Sequence, residues 1–169
     1  MTVNVGPTNW WWYSSPNSTY PCHVKGTVRL FGVGGVLRDG SAILCVGGSS
    51  ALIVAPCCTQ VDGSWAGGQY NSTLVGNKCC VSEWSALQTR LTQCGFTPSD
   101  WCVPNQNDLA LSQSRRSLLP ANFFSGPNYW SSTECNASCA CALNHSNGIQ
   151  FANIKTSSFS VRAFRIVTY

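Results

Sequence analysis

The chain has 169 residues, enough for one domain with a core of its own; 44% are hydrophobic and only 9% are charged. The formal net charge of +4 is spread from Lys25 to Arg165, and Arg115-Arg116 is the one adjacent basic pair, which excludes the basic stripe that nucleic-acid binding needs. No run is apolar and long enough to insert in a membrane, so the surface has to be made polar mainly by Gly, Ser, Asn and Thr, as in secreted and particle-surface β proteins.

The first segment, Thr8 to Pro21, sets Trp10, Trp11, Trp12 and Tyr13 among turn formers and has no helical period. Consecutive indoles cannot all point inward, so residues 1–25 are expected to form an aromatic-rich interface or anchor, leaving one domain over 26–169. Thr27–Phe31, Gly35–Leu37, Ser41–Val46 and Ala51–Pro56 are short apolar runs between glycines and serines, and the last two predict a hairpin about Gly47-Gly-Ser-Ser50. From Val81 to Cys94 the period changes: Trp84, Leu87, Leu91 and Cys94 recur at helical spacing, with Ser82 to cap the start and Gly95 to end it. A second, short helix is predicted from Asn105, whose side chain can cap it, with Asp108 in its first turn and Leu109 facing the core. Beyond Pro120 the helical signals stop. Asn128–Thr133, Ile149–Ile154 and Phe159–Val167 predict strands, with a tight turn at Asn147-Gly148. Hairpins, then helices, then hairpins make an α+β domain with antiparallel sheet.

Eleven cysteines, Cys22, Cys45, Cys57, Cys58, Cys79, Cys80, Cys94, Cys102, Cys135, Cys139 and Cys141, are read as disulfide candidates. Most are expected to be paired, with Cys135, Cys139 and Cys141 pinning a long polar loop between Glu134 and Asn147. Adjacent cysteines are expected to take separate partners because their own ring is strained, and an odd count leaves at least one thiol over. The start, Met1 to Pro7, shows neither the basic nor the apolar part of a secretory signal. Disulfides without an export signal conflict, and a phage protein released by lysis and oxidised afterwards reconciles them.

Three segments occur in an order that resembles the C-type-lectin-like domains of bacteria and phages: Trp101-Cys-Val-Pro-Asn-Gln-Asn-Asp-Leu109, Tyr129-Trp-Ser-Ser-Thr-Glu134, and the closing Val161-Arg-Ala-Phe-Arg-Ile-Val167. Upstream, Ala51–Pro56 and Ser64-Trp65 resemble the same family's hairpin and alanine-proline segment, so the similarity runs from about Gly26 to Val167. Val103 stands where that pattern has leucine and Asp108 where it has glutamate. The resemblance implies a C-type-lectin-like fold: small antiparallel sheets, two flanking helices and long disulfide-tied loops that display a ligand surface. It also implies that Trp130 belongs to the core.

Catalytic motifs are missing. Only His23 and His145 are ordinary near-neutral bases, His145 is expected to be solvated in an Asn/Ser loop, and no nucleophile elbow or phosphate loop is present. Calcium lacks carboxylates, since Glu134 is the last acidic side chain of the sequence. Zinc could draw on Cys57-Cys58 with Cys79-Cys80, or on Cys135, Cys139 and Cys141 with His145, but neither spacing is that of a zinc knuckle. The expectation is a non-enzymatic protein without metal or cofactor.

The expected function is host receptor binding on a bacteriophage virion, as a tail-fibre or tip module found outside the cell after lysis. Tyr129, Glu134, Asn136, Ser138, Asn144, His145 and Asn147 would bind a host-surface glycan or protein through amides, hydroxyls and an aromatic face. Other virion proteins, or further copies of the chain, are the remaining expected partners. Two alternatives stay open: a decoration or cement protein of capsid or tail, for which the tryptophan-rich start speaks, and a secreted glycan-binding lectin, for which the Asn-x-Ser/Thr acceptors at Asn17, Asn71, Asn136 and Asn144 speak.

Overall fold

A computed structural model describes residues 32–47, 49–65 and 84–168. Segment 1–25, the expected strand over 27–31, and Cys22, Cys79 and Cys80 lie outside the described residues.

The elements run β1 (Ala42–Gly47), β2 (Ser50–Val54), a 3-10 turn over Cys57–Thr59, β3 (Val61–Gly63), α1 (Ser85–Gln93), α2 (Gln106–Ser114), β4 (Asn128–Glu134), β5 (Cys139–Asn144), β6 (Gln150–Ile154), β7 (Phe159–Val161) and β8 (Phe164–Thr168). They make one sheet in the order β1-β2-β8 and a second in the order β3-β7-β4-β5-β6, in which only β4 and β7 run parallel. The α+β class holds. The hairpin of β1 and β2 forms as the turn residues predict. Its runs are apolar without alternation because both faces are covered: Ile43, Ala51 and Ile53 join one core, Ala42, Leu44 and Val54 another. β4 divides likewise, Trp130 entering the first core and Tyr129 the second. α1 closes the first core with Leu87 and Leu91, and α2 closes the second with Leu109.

The start of α2 and the end of α1 follow their sequence signals. Asn105 Oδ1 accepts the Asp108 amide at 2.9 Å and caps α2, while its Nδ2 donates to Asp108 Oδ2 at 2.8 Å and fixes the capping side chain. Gly95 takes φ +83°, which lets Phe96 N–H reach Leu91 O and closes α1. α1 starts later than its period suggests, at Ser85; Ser82 is outside the described residues, and the buried Trp84 occupies the cap position with no side-chain cap.

Two expectations need correction, and one short strand was not expected. The stretch 134–147 is not a loop, because β5 runs through it: Cys139-Ala-Cys-Ala-Leu-Asn144 pairs with β4 and β6, and its small residues fit between those strands. β3 is too short for any period to reveal. The expected strand over 159–167 breaks at Arg162-Ala163 into β7 and β8, which belong to different sheets. Arg162 makes that break. Its guanidinium is buried, donates from Nη1 to Phe123 O at 2.6 Å and from Nη2 to Ala55 O, and lies 4.8 Å and 5.0 Å from the Phe123 and Phe124 ring centres. Burial holds its pKa down at about 10, still far above neutrality, so it stays charged.

Arg165, by contrast, is only partly buried, 3.6 Å from Asp39 and stacked over Trp101. Arg162→Met therefore leaves two buried carbonyls unpaired and should cost about 3 kcal/mol or more, whereas Arg165→Met should cost about 1 kcal/mol. Asn105→Ala, which removes a cap, should also cost about 1 kcal/mol. Urea unfolding of the three variants checks the order; equal losses at Arg162 and Arg165 would contradict the anchoring role of Arg162.

Candidate functional site

The residues expected to bind ligand do not meet in one place. Glu134, Asn136 and Ser138 lie at one end of β5, and Asn144, His145 and Asn147 lie at the other, about 17 Å away for a strand of that length. Each is already engaged in structure. Glu134 accepts from Lys155 Nζ; Lys155 is fully buried, donates also to Ala137 O at 2.8 Å, and stands 4.8 Å over the Trp65 ring. Asn136 Oδ1 accepts from the Ser138 and Cys139 amides. Asn144 Oδ1 accepts from the Ser146 and Asn147 amides, and Asn147 Oδ1 accepts from Ile149 N–H. The amide-rich composition builds turns here.

Cys135 and Cys141 form a disulfide across the β4–β5 turn, and Cys139 is not part of it. In the chain-entropy picture so short a ring contributes about 2 kcal/mol. It is the one disulfide among the described residues. No group of three or more His, Cys, Asp or Glu that could hold a metal occurs among them either.

His145 is buried, not solvated. Its ring stacks on Phe124 at 4.0 Å, and Arg116 Nη1 donates to its carbonyl at 2.9 Å. Ser112 Oγ is 3.1 Å from Nε2, a pair that resembles a nucleophile and its base. The proton runs the other way, however: the Ser112 hydroxyl donates to Leu109 O at 2.7 Å and therefore accepts from the ring, which assigns the hydrogen to Nε2. With both side chains buried, this pair holds α2 against the end of β5.

An open groove lies where β3 and β7 meet the start of β4. It encloses about 400 Å³ and is lined by Gln60, Asp62, Ser125, Asn128, Phe159 and Ser160, among others. One hydrogen-bond chain runs through it. Gly126 N–H donates to Tyr129 Oη (2.9 Å), Tyr129 donates to Gln60 Oε1 (2.7 Å), Gln60 Nε2 donates to Ser125 Oγ (3.0 Å) and Ser160 Oγ (3.2 Å), and Ser160 donates to Asp62 Oδ1 (2.6 Å). Gly126 is required there, because a Cβ would stand 2.2 Å from Ser160 Oγ. Tyr129 is buried at the back, where desolvation raises its pKa and keeps it a donor, while Asp62 is exposed at the rim.

Of the expected ligand residues only Tyr129 reaches this groove. Gln60, Asp62, Ser125 and Ser160 escape a sequence reading because they come from segments far apart in the chain; the one local signal is Ser125-Gly-Pro127, a turn placed directly before an aromatic strand. Comparison of the sequence with protein-family models matches none of them, and a search of the curated proteins finds no relative.

The burial of His145 has a measurable consequence. Desolvation, with Arg116 and Arg162 adding to it, lowers the imidazole pKa from 6.5 to about 4. Between these values the unfolded chain binds more protons, so this contribution is complete above about pH 6.5 and falls by roughly 3 kcal/mol as the pH drops to 4. His145→Leu should remove most of that slope from urea unfolding midpoints measured between pH 7 and 4; an unchanged slope would show an imidazole that titrates freely.

Proposed function

We propose that the chain is a non-enzymatic recognition module of the C-type-lectin-like kind, and that its groove at Gln60, Asp62, Ser125 and Ser160 binds a polyhydroxylated, uncharged ligand of the sort found in host-surface glycans. The observation that carries this is the pre-formed hydrogen-bond chain beside the half-buried Phe159 ring. Gln60 has its carboxamide hydrogens on Ser125 and Ser160, and the Ser160 hydroxyl is on Asp62, so the free capacity of the groove lies in the carboxylate and the outer hydroxyls. That arrangement asks for a ligand rich in hydroxyl donors. Among the described residues no Lys or Arg lines the groove, which disfavours an anionic ligand. An aromatic face next to fixed polar groups is suited to a pyranose ring.

A place on a bacteriophage particle, as the module that meets the host, fits the resemblance in segments 101–109, 129–134 and 161–167 together with the charge-poor composition. The second reading is a joining or decoration protein. It is favoured by Ile149 and Ile154, exposed at 60% and 54% beside β6, the edge strand of the larger sheet, where a neighbouring subunit could cover them.

The two readings separate in a binding experiment with the purified chain on candidate host cells and on an array of bacterial surface polysaccharides. Recognition predicts saturable binding that competes with the parent particle. Asp62→Ala should weaken it at least about tenfold, the value of one hydrogen bond to a charged group. Absence of binding to both cells and array, or equal binding by Asp62→Ala, would overturn the groove assignment.

A further inference from the structure

Two thiols outside the groove meet where the 3-10 turn over Cys57–Thr59 touches the C-terminal end of α1. Cys94 Sγ donates to Cys58 O at 3.4 Å, so the Cys94 thiol lies directly against the Cys58 residue. Arg90, one turn back on α1, donates from Nε to the same carbonyl at 2.6 Å, so two side chains of one helix hold the turn in place. Cys58 is exposed, Cys94 is half-buried, and both are reduced. Cys57 is the chain neighbour of Cys58, and a ring between adjacent cysteines is strained, which leaves Cys94 as the partner in reach among the described residues.

We infer that Cys58 and Cys94 are a disulfide-forming pair, a covalent clasp between this turn and α1 that closes by exchange with a low-molecular-weight disulfide such as oxidised glutathione. The thiolate of one cysteine attacks a sulfur of the reagent, whose S–S bond breaks to release one thiolate. The other cysteine's thiolate then attacks the protein sulfur of the mixed disulfide and releases the second. Both cysteine protons end on the two released thiols, and the two electrons lost by the cysteine sulfurs reduce the reagent. Burial raises the Cys58 pKa, with Cys94 adding to it, so closure accelerates as the pH rises. The clasp anchors the chain two residues before Gln60 and encloses the segment that carries Asp62. It goes beyond the ligand reading and stands whether or not the groove binds a glycan.

The test takes the full chain through a graded series of glutathione redox buffers until Cys135–Cys141 closes, then alkylates, digests and maps it by mass spectrometry. The expected product is a Cys58–Cys94 cross-link, lighter by two hydrogens, kept in Cys57→Ser and lost in Cys58→Ser. In Cys94→Ser the mixed disulfide of Cys58 with glutathione should accumulate, because its resolving thiol is gone. Cys58 joined to any other cysteine, or Cys58 and Cys94 both still alkylated once Cys135–Cys141 has closed, would overturn the inference.

Discussion

A guanidinium with no carboxylate in contact among the described residues is the pivot of this domain. Arg162 gives its hydrogens to carbonyls at the end of β2 and in the loop before β4, and lies over the Phe123 and Phe124 rings. Burying a cation is costly unless its donors are matched; here two backbone carbonyls and two aromatic faces supply part of the match, while Nε has no hydrogen-bond partner among the described residues. The chain consequently cannot continue straight from β7. It turns at Arg162-Ala163 and enters the other sheet as β8, so the residue that costs most to bury also joins the two sheets.

The groove follows from that junction. Because β7 ends at Val161, its Ser160 stands beside both β3 and the first residues of β4, with Tyr129 opposite Ser160 in the parallel pair. Gln60 arrives from the turn that Ala55 and Arg162 hold at its start. Three segments from distant parts of the chain thus place polar side chains within hydrogen-bond distance of each other.

The sequence made the local structure legible wherever one residue carries the signal. Asn105 with Asp108 set a helix start, Gly95 a helix end, and Asn147-Gly148 a turn. Two-sided burial made β1 and β2 readable as apolar runs. The failures share a cause, since each depends on partners remote in sequence. Cys139–Asn144 looks like loop because alanines and cysteines fit between β4 and β6 only once those strands are in place. His145, set between asparagine and serine, looks solvated until Phe124 stacks on it and Arg116 caps its carbonyl. An asparagine has the same side chain whether it faces a sugar or closes a turn, and only the positions of neighbouring amides distinguish the two. Tyr129 reaches the groove through its hydroxyl rather than its ring.

A chain with so few charges has to place them with care, and the groove shows how two of them act together. Arg162 and Asp62 both act on Tyr129 from a distance, with opposite signs. Between the buried cation and the exposed anion one line of donors runs from Tyr129 to Gln60, from Gln60 to Ser160, and from Ser160 to Asp62, with a branch from Gln60 to Ser125. A chain of aligned donors is cooperative, each bond polarising the next, and the fields at its two ends oppose reversal. A ligand hydroxyl that donates to the carboxylate would meet an array already oriented, so little of the binding energy is lost in ordering the site. Replacing Asp62 with a neutral residue removes more than one contact for the same reason: the serine loses its acceptor and the direction of the array is no longer set.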